Sequence, residues 1–273
     1  MKKLFKNIIK FLGFEISRYQ ENNILCNEVK ESSVGRSVKS TLLTYFETKS
    51  GNYFLPTDAV NDIIAKAIKN DEIFDVEIYQ CASKHIKEGT VVLDVGSNFG
   101  QMSILFSKLV GENGEVHAFE ADDFVFDILK KNISANNKIG TIIPHFGAVY
   151  NVDNEVLVFP EQDFNRFQTY GSYGIDYSSS KIGRQVRSLT IDSLNIQEPI
   201  SFMKIDIQGG DLQAMQGAIK TIEKNKMPIL FEYEYLFEEE YNLSFQDYVD
   251  FVRSINYKFS KNINGQNYLI IPN

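Results

Sequence analysis

The sequence predicts an α/β chain: a mostly parallel sheet with helices on both faces. Three observations carry this. Short apolar runs alternate with longer segments whose apolar residues recur at i, i+3, i+4 and i+7. Val91–Val95 runs into a tight turn, Gly96 to Gly100, and then into a helix presenting Met102, Leu105, Phe106 and Leu109 on one face. Near the end, Tyr257–Ser260 and Asn267–Ile271 flank Asn264-Gly265, a strong hairpin signal, so one terminal strand reverses direction.

Composition narrows the class. With 273 residues, 43% of them hydrophobic, the chain suffices for one sizeable core and a small appended lobe. A net charge of −8 argues against a phosphate-backbone partner such as nucleic acid. Cys26 and Cys81 have neither metal spacing nor a disulfide framework, which fits inert thiols in a reducing cytoplasm. No His/Asp cluster calls for a metal. No stretch is long enough to span a bilayer.

The expected N-terminal extension covers residues 1–70. Residues 1–12 imitate a signal peptide, but Lys6 and Lys10 interrupt the apolar run and no small-residue cleavage site follows. As a helix they gather Leu4, Phe5, Ile8, Ile9 and Leu12 on one face. That face suits the inner membrane surface, the domain itself or a second subunit. A polar arm follows over 13–40, then a hairpin turning at Lys49–Asn52. A helix is expected from Pro56-Thr57-Asp58, with Val60, Ile63, Ile64, Ala67 and Ile68 aligned.

The main domain is expected over 71–273. It opens with a helix from Asp71 to Lys87, ended by Gly89, that joins the preceding helix in covering the cleft. Beyond the glycine turn come a strand at Glu115–Phe119 and a helix from Asp123 burying Val125, Ile128, Leu129 and Ile133. A strand at Thr141–Pro144 runs into His145–Val149. Residues 150–190 read as an insertion: two strands, Glu155–Phe159 and Gln185–Thr190, around a Tyr- and Gly-rich loop suited to closing over a substrate. Phe202–Ile207 is a strand, Asp211 starts a helix with Leu212, Met215, Ile219 and Ile222 inward, and Pro228–Tyr233 is another strand. Ser244–Ile255 is a capped helix.

Two places carry chemistry. Gly96 and Gly100 stand four apart with Asn98 between them, a spacing that disfavours the close pyrophosphate approach of a dinucleotide. Glu120, twenty residues past Gly100, ends the next strand, where an acid accepts both ribose hydroxyls of an adenosine. Lys204 and Asp206 share one face of a buried strand, an expensive arrangement unless paired or open to a cleft. Phe146 and Gly147 fall where an adenine ring would lie, either packed against it or as core.

D-V-G-x-N-x-G followed by A-F-E resembles the first two motifs of class I S-adenosylmethionine-dependent methyltransferases. Lys204-Ile205-Asp206 through Gly217-Ala218, Leu189–Leu194 and Pro228–Glu232 together resemble FkbM-type methyltransferases, from about Asp71 to the C-terminus. Gln208, where that family usually has Glu, and Asp211, a shorter acid, depart from the pattern. The resemblance implies a Rossmann-like fold with a seven-stranded sheet, S-adenosyl-L-methionine as donor, and O-methylation of a sugar, glycan or secondary-metabolite hydroxyl. Asp94, Gly96, Ser97, Asn98, Gly100 and Gln101 would then form the methionine pocket, with Glu120 and Ala121 at the ribose. Asp206 would act as base or orienting acid, Lys204 as its partner, and Glu232 beside them. The rival readings are a non-catalytic cofactor-binding module and a nucleic-acid N-methyltransferase.

Overall fold

A computed structural model describes residues 22–24, 42–136, 141–161, 169–176 and 182–273. The amphipathic 1–12 stretch, Cys26, most of the 13–40 arm and both ends of the aromatic loop lie outside the described residues.

Seven strands form the central sheet: β4 (Val91–Val95), β5 (Glu115–Glu120), β6 (Ile142–Phe146), β10 (Ile200–Ile205), β11 (Ile229–Glu232), β12 (Tyr257–Ile263) and β13 (Asn267–Pro272). Their order is β12-β13-β11-β10-β4-β5-β6, and β13 alone runs against its neighbours. This is the expected Rossmann-like class I methyltransferase sheet with its reversed strand. Strand order switches direction between β4 and β10, whose carboxyl ends diverge into a crevice where α/β sheets take their ligands. One core cluster packs α3 (Gln101–Val110) and α4 (Asp123–Ala135) on one face. The other gathers α5 (Asp211–Gln216) and α6 (Ile219–Asn225), with α8 (Phe245–Ser254), on the opposite face, the short α7 (Glu238–Tyr241) preceding α8.

The hairpin is present as β2 (Leu43–Glu47) and β3 (Asn52–Pro56), and β1 (Asn22–Ile24) from the arm adds a third strand that the sequence pattern did not reveal. Its outer edge meets α4. Asn136 Oδ1 accepts from the Asn52 N–H at 2.9 Å, Asn132 Oδ1 accepts from the Phe54 N–H at 2.6 Å, and Asn136 Nδ2 donates to the Asn52 carbonyl at 2.8 Å.

Three helices depart from their expected bounds. The first, α1, covers Ile63–Lys69 rather than starting at Pro56: Thr57 is still tied to the hairpin through Leu42 and Thr44, and the buried Asp62 supplies the N-cap at 2.7 Å from the Ala65 N–H. The next, α2, is only Val76–Ala82, because Asp71 and Asp75 take left-handed backbone angles that interrupt any helix from 71. The helix expected from Asp211 breaks at Gly217, whose backbone lies so close to Tyr150 that a Cβ would sit 2.0 Å from its carbonyl oxygen. The carboxylate of Asp192 then caps the new start by accepting from the Lys220 and Thr221 N–H groups, and Ile219 is turned outward.

The insertion holds β8 (Val156–Pro160) antiparallel to β9 (Gly183–Leu189), with β7 (Ala148–Val149) parallel on the other side of β9. Its loop is pinned to α1. The Thr169 hydroxyl and the Tyr170 N–H both donate to Asp62 Oδ2, at 2.9 and 2.8 Å. No described helix is long and apolar enough to cross a membrane.

Candidate active site

A cavity of about 320 Å³ opens at the carboxyl ends of β4, β5, β10 and β11. Gly96, Ser97, Asn98, Gln101, Glu120, Ala121, Gly147, Lys204, Asp206 and Glu232 all line it. Asp94, Gly100 and Phe146 do not. Phe146 is half-exposed and packs against the Phe126 ring at 5.3 Å, so Gly147, Ala148 and Val149 supply that wall instead.

The glycine turn is held by its own backbone. The N–H groups of Gly96 and Ser97 both donate to the Phe119 carbonyl, which ties the turn to β5. Gly96 has φ +82° and presses on the end of β10, where a Cβ would lie 1.8 Å from the Asp206 carbonyl oxygen. Gly100 is the N-cap of α3 at φ +87°. Gln101 faces the cavity, but its amide is a clamp. It accepts from the Phe74 N–H at 2.9 Å and donates to the Glu72 carbonyl at 2.8 Å, fixing the segment that carries Asp75.

Glu120 is fixed by three N–H groups: Ala121 and Asp122 donate to Oε1 and Asn98 to Oε2, at 2.8, 2.8 and 2.9 Å. Burial, with the nearby Asp122 charge, nevertheless pushes its pKa up to about 7 against those N–H groups. Each oxygen retains acceptor capacity toward the cavity.

At the end of β10, buried Lys204 places its ammonium 3.0 Å from the Gly96 carbonyl, 3.6 Å from Asp94 Oδ1 and 3.4 Å from Asp206 Oδ2. Burial works against that charge, but Asp206 and Asp94 outweigh it and hold Lys204 above its ordinary pKa. Asp94 is wholly buried and also accepts from the Ser103 hydroxyl; it therefore supports Lys204 from beneath the cavity. Burial also penalises the Asp206 charge, yet Lys204 and the Glu232 and Gln208 hydrogen bonds keep its pKa below the usual carboxylate value. Glu232 goes the other way. Burial, then the Asp206 charge, raises its pKa so that it keeps a proton at neutral pH. The result is one ionised and one neutral carboxyl on a common wall.

Sequence reasoning missed several lining groups. Asp75 precedes α2 in a left-handed conformation, and burial and Asp206 push its pKa up to about 6. Asn264, Gln266 and Asn267 line the cavity from the terminal hairpin; Glu234, which the strand pattern puts on one face with Glu232 as either an acceptor-orienting or a merely solvated acid, lines it from the β11 end. An acid just before a helix was the available signal for Asp75 and Asp62. His85 stacks on Phe202, and His117 and His145 hydrogen-bond to one another at 2.9 Å; none of the three lines the cavity. Among the described residues no group of His, Cys, Asp and Glu is arranged to hold a metal.

These residues fit S-adenosyl-L-methionine: a carboxylate for a ribose diol, small and apolar residues beside it for a flat base, and the glycine turn with the cavity-lining Asn98 side chain for an amino acid. The family comparison agrees. The methyltransferase FkbM domain model matches residues 94–259. The ubiquinone/menaquinone biosynthesis C-methyltransferase UbiE of Blochmanniella pennsylvanica is 28% identical over 134 residues, 49% of this chain and 48% of that protein. The chain thus spans about half the length of the curated relative it matches. Among solved structures, a methyltransferase FkbM from Methylobacillus flagellatus is 15% identical, covering 66% of this chain and 42% of its own, with TM-score 0.45. Aeropyrum pernix fibrillarin, with natively bound S-adenosyl-L-methionine, is 12% identical over 92% of this chain and 86% of its own, with TM-score 0.41. With that domain matched over more than half of its length, the chain belongs to the FkbM methyltransferase family, whose cofactor is S-adenosyl-L-methionine.

Proposed function

We propose that the chain transfers a methyl group to a hydroxyl oxygen of a sugar, a glycan or a small secondary metabolite. One observation carries this reading: a single cavity is lined both by Glu120, suited to the cofactor's ribose, and by ionised Asp206 beside neutral Glu232. Bound S-adenosyl-L-methionine supplies a methyl group activated by its sulfonium charge. Asp206 orients the acceptor by taking its O–H as a hydrogen bond, and Lys204 keeps that carboxylate ionised and fixed. A carboxylate of lowered pKa is a weak base. It is sufficient here, because an oxygen becomes strongly acidic as it gains a methyl group, and its proton then passes to Asp206. Glu232, which keeps its own proton and hydrogen-bonds to Asp206, holds that carboxylate in place from the β11 side. The acidic wall of Asp75, Asp206 and Glu234, on a chain of net charge −8, favours neutral or cationic acceptors over phosphate-bearing ones.

The test is Asp206→Asn with acceptors screened by mass spectrometry. Turnover is expected to fall roughly a hundredfold or more, with cofactor affinity within a few-fold of the parent. Full turnover in the variant sinks the assignment. The carbon chemical shift of the transferred methyl separates an O-methyl from a C-methyl product.

Glu120 gives a second expectation. With a pKa near 7 it is roughly one-tenth ionised at pH 6 and nine-tenths at pH 8, and only the carboxylate accepts from both ribose hydroxyls. Cofactor affinity measured by calorimetry should therefore rise across that interval, and the rise should vanish in Glu120→Gln. The stability sign is opposite. A carboxyl whose folded pKa is raised contributes stability below about pH 4.5 and loses it as the pH rises through 7, so the cofactor-free protein weakens where binding strengthens. Flat affinity between pH 6 and 8 counts against this role.

A further inference from the structure

The turn after β10 holds its side chains more firmly than a loop needs. Gln208 has φ +56°, a left-handed conformation that is unfavourable for a non-glycine residue, and neighbouring groups hold it there. Its carbonyl lies 3.1 Å from the Tyr241 hydroxyl, and Gly174 approaches so closely that a Cβ would meet that carbonyl at 2.5 Å. So held, the side-chain amide reaches both carboxyls of the wall: Nε2 donates to Asp206 Oδ1 at 3.2 Å and to Glu232 Oε2 at 3.1 Å.

We propose that Gln208 is the positioning residue of the acceptor site, its neutral amide holding Asp206 and Glu232 together through one N–H to each and filling the place that a cation would take between two carboxylates. The inference rests on the methyl-transfer reading for its purpose but not for its physics. Two carboxyls drawn together at a half-closed site repel unless a proton, a metal or a donor lies between them. The amide supplies one N–H to each. It adds no charge, so the dyad keeps a single negative charge balanced by Lys204. The surrounding groups sharpen the need. Asp94 lies on β4 beneath Lys204, Asp75 flanks from α2, Glu234 follows β11, and Asp211 is buried at the start of α5. All of them are acids, and burial together with Asp206 raises Glu232 toward the neutral form, while the amide holds both carboxyls in place. The amide fixes the geometry of the pair, and Lys204, which faces Asp206 alone of the two, makes Asp206 the one that receives the acceptor proton.

The experiment uses the full chain, cofactor-free and without acceptor, so failure to find methyl transfer leaves its readouts intact. Gln208→Glu exchanges the donor for a third carboxyl. Calorimetric titration with Mn²⁺ alone is expected to show the variant binding roughly tenfold or more tighter than the parent. The variant's melting temperature should fall relative to the parent as pH rises from 5.5 to 8.5. The added carboxyl has a raised folded pKa, so its stability contribution is present in acid and lost on ionisation. Mn²⁺ should restore the loss at high pH. A variant that matches the parent in both readouts, or a parent that binds Mn²⁺ equally well, overturns the proposal. Should Gln208→Glu fail to fold, the infrared difference between the parent and Glu232→Gln at neutral pH decides. A carboxylic-acid carbonyl band present only in the parent supports the dyad, and its absence overturns it.

Discussion

Lys204→Met is expected to destabilise the folded protein by about 3–5 kcal/mol at neutral pH, the cost of stranding buried charge when one partner is removed. The Lys204 side chain is 6% exposed and the Asp94 side chain fully enclosed, and the Oδ1 atom of Asp94 has no hydrogen-bond partner, only the ammonium 3.6 Å away. Methionine fills most of the volume and supplies no charge, so both acids lose their counter-ion. Asp94, already raised by burial, moves up further. The sign of the pH dependence follows. In the parent, Asp206 is held below its ordinary pKa and contributes stability above the carboxylate range that is lost in acid. In the variant the raised acids contribute stability only in acid and lose it as pH rises. The gap between the two proteins should therefore widen from pH 5 to pH 8 in urea denaturation. A pH-independent gap smaller than about 1 kcal/mol places the lysine outside any buried ion network.

Gly96→Ala should cost nearly as much for a different reason. Its φ of +82° charges a residue with a Cβ about 1 kcal/mol, and separating the ends of β4 and β10 adds about 1–3 kcal/mol of overpacking. The colliding partner is the Asp206 backbone carbonyl at 1.8 Å, which cannot rotate away. The glycine turn, which lines the cofactor side of the cavity, would be displaced with it, so cofactor binding should be lost along with several degrees of melting temperature. Gly100→Ala is the control: its Cβ would meet a terminal methyl of Leu129, a side chain that can move. Calorimetry and thermal denaturation of both variants check the contrast, and equal effects count against it.

The turn between β4 and α3, the terminal hairpin and the capping of α8 follow from local chemistry, because glycine conformation, Asn-Gly geometry and an N-cap serine act within a few residues. Lys204 and Asp206 stand out because charges in a buried strand need an explanation, and Glu232 because Pro228–Glu232 resembles the family's closing strand. Beyond an acid standing just before each helix, the roles of Asp75 and Asp62 and the bounds of α1 and α2 were not legible. Asp62 caps a helix and also receives Thr169 and Tyr170, more than a hundred residues onward, and no local pattern encodes such a pairing. The break at Gly217 likewise answers to Tyr150, on another part of the chain.

The asparagines of α4 have a consequence beyond packing. By accepting from the Asn52 and Phe54 N–H groups, Asn132 and Asn136 occupy the positions that the backbone of an adjoining strand would take. The outer rim of the hairpin is thereby closed to strand addition, so a surface that would otherwise seed chain-to-chain polymerisation is sealed by side chains of its own molecule.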